Sequence, residues 1–332
     1  MTISDQYQAL KNTGVIGAVS LRGAIGVSGR DRASYLQGLL TNDIPALTPG
    51  SGCYAAWLTA QGRMLTDMHV FESGEMILLD VPASQLSSTL QRLDQFLFGE
   101  DVQLVDLSAA LTAVWIHGPA APAMLERVLS GAGGANTEAG TTLGSRPAYR
   151  NARASFGDAA VVIARVDQLG VPGFCVYIEP AQVTRLKVAL VAEGAVEAEA
   201  EAIDAARIEA GYPVFGTDMT DETIPLEAGI EHRAISLTKG CYVGQEVIIR
   251  VLHRGGGRVV KRLVGLRIDG DVPGSGAKIL AGEKEIGVVT SAVRSPRLGT
   301  IALGYVHRDF TTSGTAVLVN ATPAVVSDLP LV

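Results

Sequence analysis

The spacing of apolar side chains divides the first half of the chain into strands and helices. Five segments show the alternating or continuous apolar pattern of strands: "GAIGVSG", "CYAAWLT", "RMLTDMHVFES", "EMILLDVP" and "LTAVWIHG". In "GRDRASYLQGLL" and "SQLSSTLQRLDQFLF" the leucines recur at spacings of three and four, which is typical of amphipathic helices. Ser84 stands where an N-cap residue would begin the second of these helices.

The second half repeats this interleaving and then changes character. "AAVVIARV" and "GFCVYIE" predict strands, and "PAQVTRLKVALVAEG" and "EAEAEAIDAARIEAGYP" predict helices. From Val259 onward only short alternating strands and turns follow, which is typical of a small terminal barrel or sandwich. We therefore predict an α+β fold with antiparallel sheets. Residues 1–255 would form two interleaved α+β lobes, and residues 256–332 a C-terminal antiparallel β-barrel.

Composition narrows the possible partners and location. The 332 residues are 47% hydrophobic, enough for a substantial core. No uninterrupted apolar run approaches the roughly 18 residues of a membrane span, so no membrane association is expected. The net charge of −7 argues against nonspecific nucleic-acid binding, which needs clustered cations. The N-terminal segment resembles neither a signal nor a transit peptide, so we expect a cytoplasmic location.

The cysteines and histidines form no obvious metal or catalytic pattern. The three cysteines, Cys53, Cys175 and Cys241, are widely spaced and odd in number, which fits free thiols in a reducing compartment. A metal site made of these thiols alone is not expected. His69 and His117 lie in predicted strands, where structural roles are expected.

In the stretch "TKGCYVGQEVIIR" one cysteine lies close to a lysine and two glycines. Lys239 lies two residues before Cys241, and Gly240 and Gly244 flank it. A nearby cation lowers the pKa of a thiol, and glycines allow a sharp turn around it, so the surroundings permit an activated cysteine. Free cysteine is also among the most buried residue types, so a simple packing role for Cys241 stays open.

The longer segment "KGCYVGQEVIIRVLHRG" resembles the hallmark of the YgfZ family, folate-binding proteins linked to iron–sulfur cluster assembly and repair. This resemblance implies that Cys241 is the essential group and that Lys239 tunes it. It also implies a transient iron–sulfur cluster contact, with iron–sulfur client or assembly proteins as partners. The remaining residues of the motif would shape the loop or meet a partner: Gly240, Tyr242, Gly244, Gln245, Glu246 and Arg250.

Other segments are similar to the wider superfamily of the glycine-cleavage T-protein, an aminomethyltransferase. They are "GRDRASYLQGLLTNDI", "LTAQGRMLTDMHVF", "ARIEAGYPVFGTDMTDETIPLEAG" and "IGVVTSAVRSPRLGTIALGYV". The resemblance spans nearly the whole chain and implies three lobes in a ring around a central tetrahydrofolate pocket, with a barrel as the last lobe. On the matching positions it implies these folate-binding residues: Arg207, Glu209, Glu227, Arg165 and Tyr305.

Two departures from the superfamily pattern bear on activity. The aminomethyltransferases carry an Asn-Ala pair followed by an aspartate, whereas no carboxylate lies between Pro82 and Leu90. Val171 stands where their pterin-holding glutamate would be, and valine cannot accept a hydrogen bond. We therefore predict a folate-dependent accessory protein for iron–sulfur cluster assembly or repair. The alternatives are a tetrahydrofolate-dependent aminomethyl or one-carbon transferase and a non-catalytic folate-binding scaffold.

Overall fold

The computed structural model describes residues 1–131, 142–254 and 256–331. The helices are α1 (Ile3–Asn12), α2 (Arg32–Gln37), α3 (Leu86–Gln95), α4 (Ala121–Val128), α5 (Val183–Ala192), α6 (Ala200–Glu209), α7 (Glu231–Ala234) and α8 (Gln245–Ile249). The strands before the terminal barrel are β1 (Val15–Ile16), β2 (Arg22–Ser28), β3 (Gly52–Leu58), β4 (Met64–Glu72), β5 (Ile77–Pro82), β6 (Gln103–Asp106), β7 (Thr112–His117), β8 (Asn151–Phe156), β9 (Ala159–Arg165), β10 (Gly173–Ile178) and β11 (Val196–Glu197).

The barrel strands follow in the last part of the chain. They are β12 (Lys261–Ile268), β13 (Lys278–Ala281), β14 (Lys284–Ser295), β15 (Gly299–His307), β16 (Ala316–Val319) and β17 (Thr322–Ser327). They close in the order β12-β15-β14-β13-β16-β17, with antiparallel pairing throughout and β17 returning to β12. The predicted C-terminal antiparallel barrel is confirmed. Closure leaves the barrel without a free sheet edge.

Two further sheets form the remaining lobes. A six-stranded sheet has the order β11-β1-β7-β10-β9-β8, and a five-stranded sheet has the order β3-β4-β5-β2-β6. Their neighbours are antiparallel except for the short β1–β11 pair. The predicted α+β class with antiparallel sheets is therefore confirmed.

The five-stranded sheet has two buried faces of different chemistry. On one face, Trp57, Met68 and Leu79 pack against α2 and α3 in an apolar cluster. Because strand side chains alternate between faces, the intervening residues point the other way. These include His69 and Asp80, which are paired across β4 and β5. The alternation of side chains along the strands therefore places polar groups on the face of the sheet that lies away from α2 and α3.

Helices α1 and α6 join the barrel to the rest of the molecule. Tyr7 and Leu10 of α1 and Ile208 of α6 share one apolar cluster with Leu303 of β15. The predicted boundary near residue 255 stays a prediction, since residue 255 lies outside the described residues. None of the helices in the described ranges combines the length and apolar character needed to cross a bilayer.

One local prediction is wrong, and the structure contains short elements that were not predicted. Ser84 lies in a 3-10 turn, Ala83–Gln85, and α3 begins after Gln85 without a side-chain cap, so the predicted cap is wrong. The apolar run after Cys241 forms the short helix α8 and a π-helical turn, Arg250–Arg254. Helix α1 was not predicted, although Tyr7 and Leu10 are buried at helical spacing and the helix begins with a capping box between Thr2 and Asp5.

Gly287 offers a direct test of the barrel. A Cβ atom at this position would lie 1.9 Å from the backbone oxygen of Tyr305 on the paired strand, a distance that forces the strands apart. We expect Gly287→Ala to lower the free energy of unfolding by about 1–3 kcal/mol or more, measured by denaturant unfolding. Gly274→Ala is the control, because a Cβ at Gly274 meets nothing within 4 Å. Equal stability of the two variants would contradict this packing.

Candidate functional site in the central cavity

A cavity of about 760 Å³ lies between the six-stranded sheet and the barrel. Its wall includes Asp167 and Gln168 after β9, Tyr212 after α6, and Arg233 of α7. Strand β12 and the last residues of the described chain close the other side. The volume is that of a small-molecule site, and aromatic and polar side chains converge in it, as binding sites require.

Arg233 forms a stack with two aromatic rings at the cavity. Its guanidinium carbon lies 4.0 Å from the ring centre of Tyr212 and 4.7 Å from that of Tyr54. Cation–π contacts of this kind hold a cation in place where water is scarce. Tyr54 also donates a hydrogen bond to Asp67 at 2.7 Å. The stack therefore links the cavity wall to the polar face of the five-stranded sheet.

Behind this wall lies a buried network of charged groups. The Arg22 guanidinium lies 3.2 Å from a carboxylate oxygen of Asp67 and 3.2 Å from one of Asp80. Asp80 also accepts a hydrogen bond from Nδ1 of His69 at 2.7 Å. The other ring nitrogen of His69, Nε2, lies 3.4 Å from the Tyr212 hydroxyl. The network thus runs from the sheet interior to the cavity wall.

Burial and charge set the protonation states in this network. Burial opposes the charge of Arg22, but Asp80 and Asp67 together raise its pKa above the ordinary value. Burial would raise the pKa of Asp80, yet Arg22 and His69 hold it below its usual range. Burial lowers the pKa of His69, outweighing its hydrogen bond with Asp80. A neutral imidazole therefore faces an ionised carboxylate.

Asp167 and Gln168 offer hydrogen-bonding groups to a ligand. Asp167 accepts a hydrogen bond from the Gly173 amide at 2.9 Å and pairs with Arg165, and about a third of its side chain remains exposed. Gln168 is only 5% exposed and donates to the Tyr212 hydroxyl at 3.4 Å. Its Oε1 has no hydrogen-bond partner among the described residues. A buried acceptor without a partner is costly, so this amide oxygen is a candidate acceptor for a donor group beside the cavity.

Two predicted folate residues instead join parts of the scaffold. Arg207 is buried and binds Asp218, whose other oxygen accepts the hydroxyls of Thr290 and Ser291 on the barrel. Glu209 accepts a hydrogen bond from Tyr7 at 2.7 Å and contacts Arg297. Neither Arg207 nor Glu209 is in the cavity wall. Both side chains are occupied in holding α6 against the barrel, so their folate-binding role stays a prediction.

The other three predicted folate residues also lie outside the wall. Arg165 donates hydrogen bonds to Asp167 and to the carbonyl oxygens of two residues before β8. Its link to the cavity wall is therefore its contact with Asp167. Glu227 is buried, and burial raises its pKa. Tyr305 is buried under the ammonium group of Lys261. Direct contact of these residues with folate stays a prediction.

Cys241 lies outside the cavity wall and is exposed. Lys239, two residues earlier, is buried and donates hydrogen bonds to the carbonyl oxygens of Gln37, Leu40 and Asn42, at 2.5–2.9 Å. Burial lowers the pKa of Lys239 to about 8. The ammonium group anchors the end of α2, and tuning of Cys241 by Lys239 stays a prediction.

The glycines and the tyrosine of this motif have distinct structural positions. Gly244 has φ +84°, and a Cβ there would lie 2.5 Å from the Thr59 carbonyl oxygen, so only glycine fits. A Cβ at Gly240 would meet nothing within 4 Å. Tyr242 is buried in an apolar cluster with Ile248 of α8. The loop is therefore held by Tyr242 and Gly244 on either side of Val243.

The polar residues of the motif lie on the surface beyond this loop. Gln245 begins α8, and Glu246 forms an exposed ion pair with Arg250 one turn later. Glu246 and Arg250 line a shallow pocket of about 170 Å³ with Ile249 and His253. Exposed helix pairs contribute little to stability, which leaves these residues available to a partner. Across the described residues, no group of three or more His, Cys, Asp or Glu side chains is arranged to hold a metal ion.

Both parts of the chain match known protein families. Residues 1–239 match the model of the GCVT N-terminal domain, and residues 261–332 match that of the glycine cleavage T-protein C-terminal barrel domain. This chain belongs to the glycine cleavage T-protein family. The aminomethyltransferase of Rubrobacter xylanophilus is 30% identical over 331 residues, covering 99% of this chain and 85% of that protein. The aminomethyltransferase of Bacillus subtilis is 28% identical, covering 95% and 86%.

A solved T-protein confirms the arrangement of the lobes. The crystal structure of the glycine cleavage system aminomethyltransferase T from Bartonella henselae matches with a TM-score of 0.85, covering 99% of this chain and 89% of that one. Their sequences are 22% identical, so this likeness concerns the fold alone. The predicted T-protein-like fold, with its terminal barrel, is confirmed.

Sequence reasoning missed most of the T-protein cavity wall. His69, expected to be structural, belongs to a polar network that reaches the cavity. Tyr212 lies in the segment "ARIEAGYPVFGTDMTDETIPLEAG" but was not singled out, and Arg233 lies outside the quoted motifs. The one available signal was the occurrence of Asp67, His69 and Asp80 on apolar strands, because charged residues are seldom fully buried without a function or a partner.

The three thiols should differ sharply in reactivity. Burial raises the pKa of Cys53 to about 12 and raises that of Cys175 well above its ordinary value, whereas Cys241 is exposed. We expect a neutral alkylating reagent near pH 7 to modify Cys241 first, because the thiolate is the nucleophile and must be accessible. Peptide mass mapping over time measures the order. A Cys241 thiol that reacts only after denaturation would contradict this.

The variant Lys239→Met distinguishes the anchoring of α2 by Lys239 from the tuning of Cys241 by Lys239. Loss of the ammonium group leaves buried carbonyl oxygens without a donor, so we expect a loss of about 1–3 kcal/mol in stability. Slower alkylation of Cys241 at an unchanged melting temperature would instead support the tuning role.

Proposed function

We propose that this protein binds tetrahydrofolate in the central cavity and takes part in folate-dependent one-carbon transfer. The supporting observation is the cavity itself, with a partly exposed carboxylate at Asp167 and an unpartnered amide oxygen at Gln168. The pyrimidine edge of a pterin carries N–H donors, which both groups can accept. Tyr149 and Tyr212 add aromatic surface to the same wall.

Aminomethyl transfer is the reaction that the curated relatives favour. The sequence departs from those enzymes at Val171 and between Pro82 and Leu90. Asp167, four residues before Val171, supplies a carboxylate to the cavity wall and can take the place of the missing glutamate. On this assignment Arg165 positions Asp167 through their ion pair at 3.0 Å.

Folate binding and turnover test this proposal together. We expect wild-type protein to bind tetrahydrofolate in calorimetry and to release ammonia from the aminomethyl donor of the glycine cleavage system when tetrahydrofolate is present. Asp167→Asn keeps an acceptor for the Gly173 amide but loses the charge. We expect about tenfold to a hundredfold weaker binding, the value of one charge-assisted hydrogen bond.

Asp158→Asn is the matched control, because Asp158 is exposed in the turn between β8 and β9. Its affinity should equal that of the wild type. If no reduced folate gives a binding signal with the wild-type protein, the proposal is rejected. Binding without ammonia release would reject aminomethyl transfer and leave a folate-binding scaffold.

The exposed thiol of Cys241 supports a second candidate function. The motif "KGCYVGQE" resembles the YgfZ family, and the chain presents this cysteine on a loop fixed by Gly244. In this candidate, folate binding is coupled to maintenance of iron–sulfur proteins, with Cys241 acting as a thiolate in redox exchange or transient contact with a client's cluster. The reducing cytoplasm suits three free thiols.

A serine replacement tests the second candidate. Cys241→Ser keeps the size of the side chain but loses the soft, ionisable sulfur. We expect this variant to keep its melting temperature and folate affinity but to fail to restore iron–sulfur enzyme activity in cells lacking the protein. Cys53→Ser serves as the control for the loss of a thiol. Full restoration by Cys241→Ser would remove the thiol from the function.

A further inference from the structure

Three side chains form a line from the sheet interior to the cavity. Asp80 lies 2.7 Å from Nδ1 of His69, and Nε2 of His69 lies 3.4 Å from the hydroxyl of Tyr212. Tyr212 belongs to the cavity wall, whereas His69 and Asp80 are fully buried behind it. Long hydrogen bonds in unliganded sites often tighten when ligand binds, so 3.4 Å is compatible with a working contact.

The charges around His69 fix the direction of these hydrogen bonds. Arg22 keeps Asp80 ionised, so the carboxylate can only accept, and Nδ1 of His69 must carry the proton. The neutral ring therefore presents the lone pair of Nε2 towards Tyr212. The Tyr212 hydroxyl in turn donates to Nε2. This is the arrangement in which a histidine takes a proton from a hydroxyl group and an aspartate stabilises the resulting imidazolium.

Two further contacts prepare Tyr212 for this role. Gln168 donates to the Tyr212 oxygen at 3.4 Å, and its own buried Oε1 is left without a partner beside the cavity. Arg233 lies over the Tyr212 ring at 4.0 Å. Both contacts hold the Tyr212 side chain in place between His69 and the cavity.

We propose that Tyr212 is the general base of the cavity and that His69, positioned by Asp80, receives its proton. The proposal rests on the proposed aminomethyl transfer to tetrahydrofolate, in which folate nitrogens lose protons while the departing amine and the donor sulfur gain them. As a folate N–H bond breaks, its proton passes to the Tyr212 oxygen, and the Tyr212 proton passes to Nε2 of His69. No oxidant or reductant is needed: the imidazolium returns its proton to the Tyr212 oxygen as the Tyr212 hydroxyl gives its own proton to the departing amine.

The pH dependence expected for this step follows from the groups packed around His69. They come from strands β2, β3, β4 and β5 and from two loops, and they are Arg22, Tyr54, Asp67, Asp80, Tyr149 and Tyr212. Burial lowers the pKa of His69, against the raising effect of Asp80. The acceptor is therefore free above this lowered pKa and blocked below it. The rate should rise with pH through the pKa of His69 and then level off.

Tyr212→Phe tests the assignment, because it keeps the ring that Arg233 stacks on and removes only the hydroxyl. In single-turnover experiments with tetrahydrofolate we expect a rate at least about 100-fold lower, typical of a lost general base. The rise of the rate with pH should disappear in this variant. Folate affinity should change less than about tenfold. His69→Gln should give the same loss of rate and of pH dependence with Tyr212 intact.

Tyr35→Phe is the matched control. The Tyr35 hydroxyl is buried and donates to the carbonyl oxygen of Leu93 on the helix-covered face of the sheet. Its loss should lower the melting temperature but leave rate and pH profile unchanged.

The outcomes separate this inference from the function on which it rests. A Tyr212→Phe protein with normal turnover, or with slow turnover and the wild-type pH profile, would overturn the role of Tyr212 alone. Absence of turnover in the wild-type protein would overturn aminomethyl transfer, and the proton path would fall with it.

Discussion

The buried guanidinium of Arg22 is the charge on which both the packing of the five-stranded sheet and the chemistry at the cavity depend. A charge without water must be paired, and removing one partner of such a pair typically costs about 3–5 kcal/mol. Arg22 on β2 meets this demand with Asp80 on β5 and Asp67 on β4, so three strands are tied together by one side chain. The same pairing keeps Asp80 ionised and thereby decides which nitrogen of His69 carries a proton. The ion pairs of Arg22 therefore determine both how these strands are held together and which nitrogen of His69 is protonated.

The same need to pair buried charges explains why several residues predicted to form binding sites also hold parts of the scaffold together. Arg207 reaches Asp218 and through it the barrel, while Glu209 gathers Tyr7 and Arg297. Lys239 satisfies three carbonyl oxygens around α2. Each charged group is satisfied within the protein at a contact between lobes. The lobes can therefore surround a polar cavity, and the wall carries aromatic rings, the amide of Gln168 and the charged side chains of Asp167 and Arg233.

The two candidate chemistries lie in different places. The cavity wall holds Tyr212, Gln168 and Asp167, whereas Cys241 is exposed on a loop that Gly244 presses against the turn after β3. Folate chemistry and thiol chemistry can therefore be removed one at a time by substitution. The segment between Arg233 and Gly244 joins the two places in sequence and packs on β3. Helix α7 touches β3 and carries Arg233 into the cavity, so this segment contacts both places.

Sequence periodicity by itself predicted strands β2–β5, β7, β9 and β10, helices α2, α3, α5 and α6, and the terminal barrel, because alternation and 3.6-residue spacing are local properties of a chain. The motif around Cys241 was equally visible, since its residues are contiguous. The cavity was not, because Asp167, Tyr212 and Arg233 meet only after three lobes have closed. Arg207 and Glu209 were assigned to folate by family pattern, but tertiary structure occupies both with partners on α1 and the barrel. His69 illustrates the difference best: its strand could be predicted from neighbouring residues. Its proton depends on Arg22, Asp80 and Tyr212, which lie 47, 11 and 143 residues away in sequence and come together only in the folded protein.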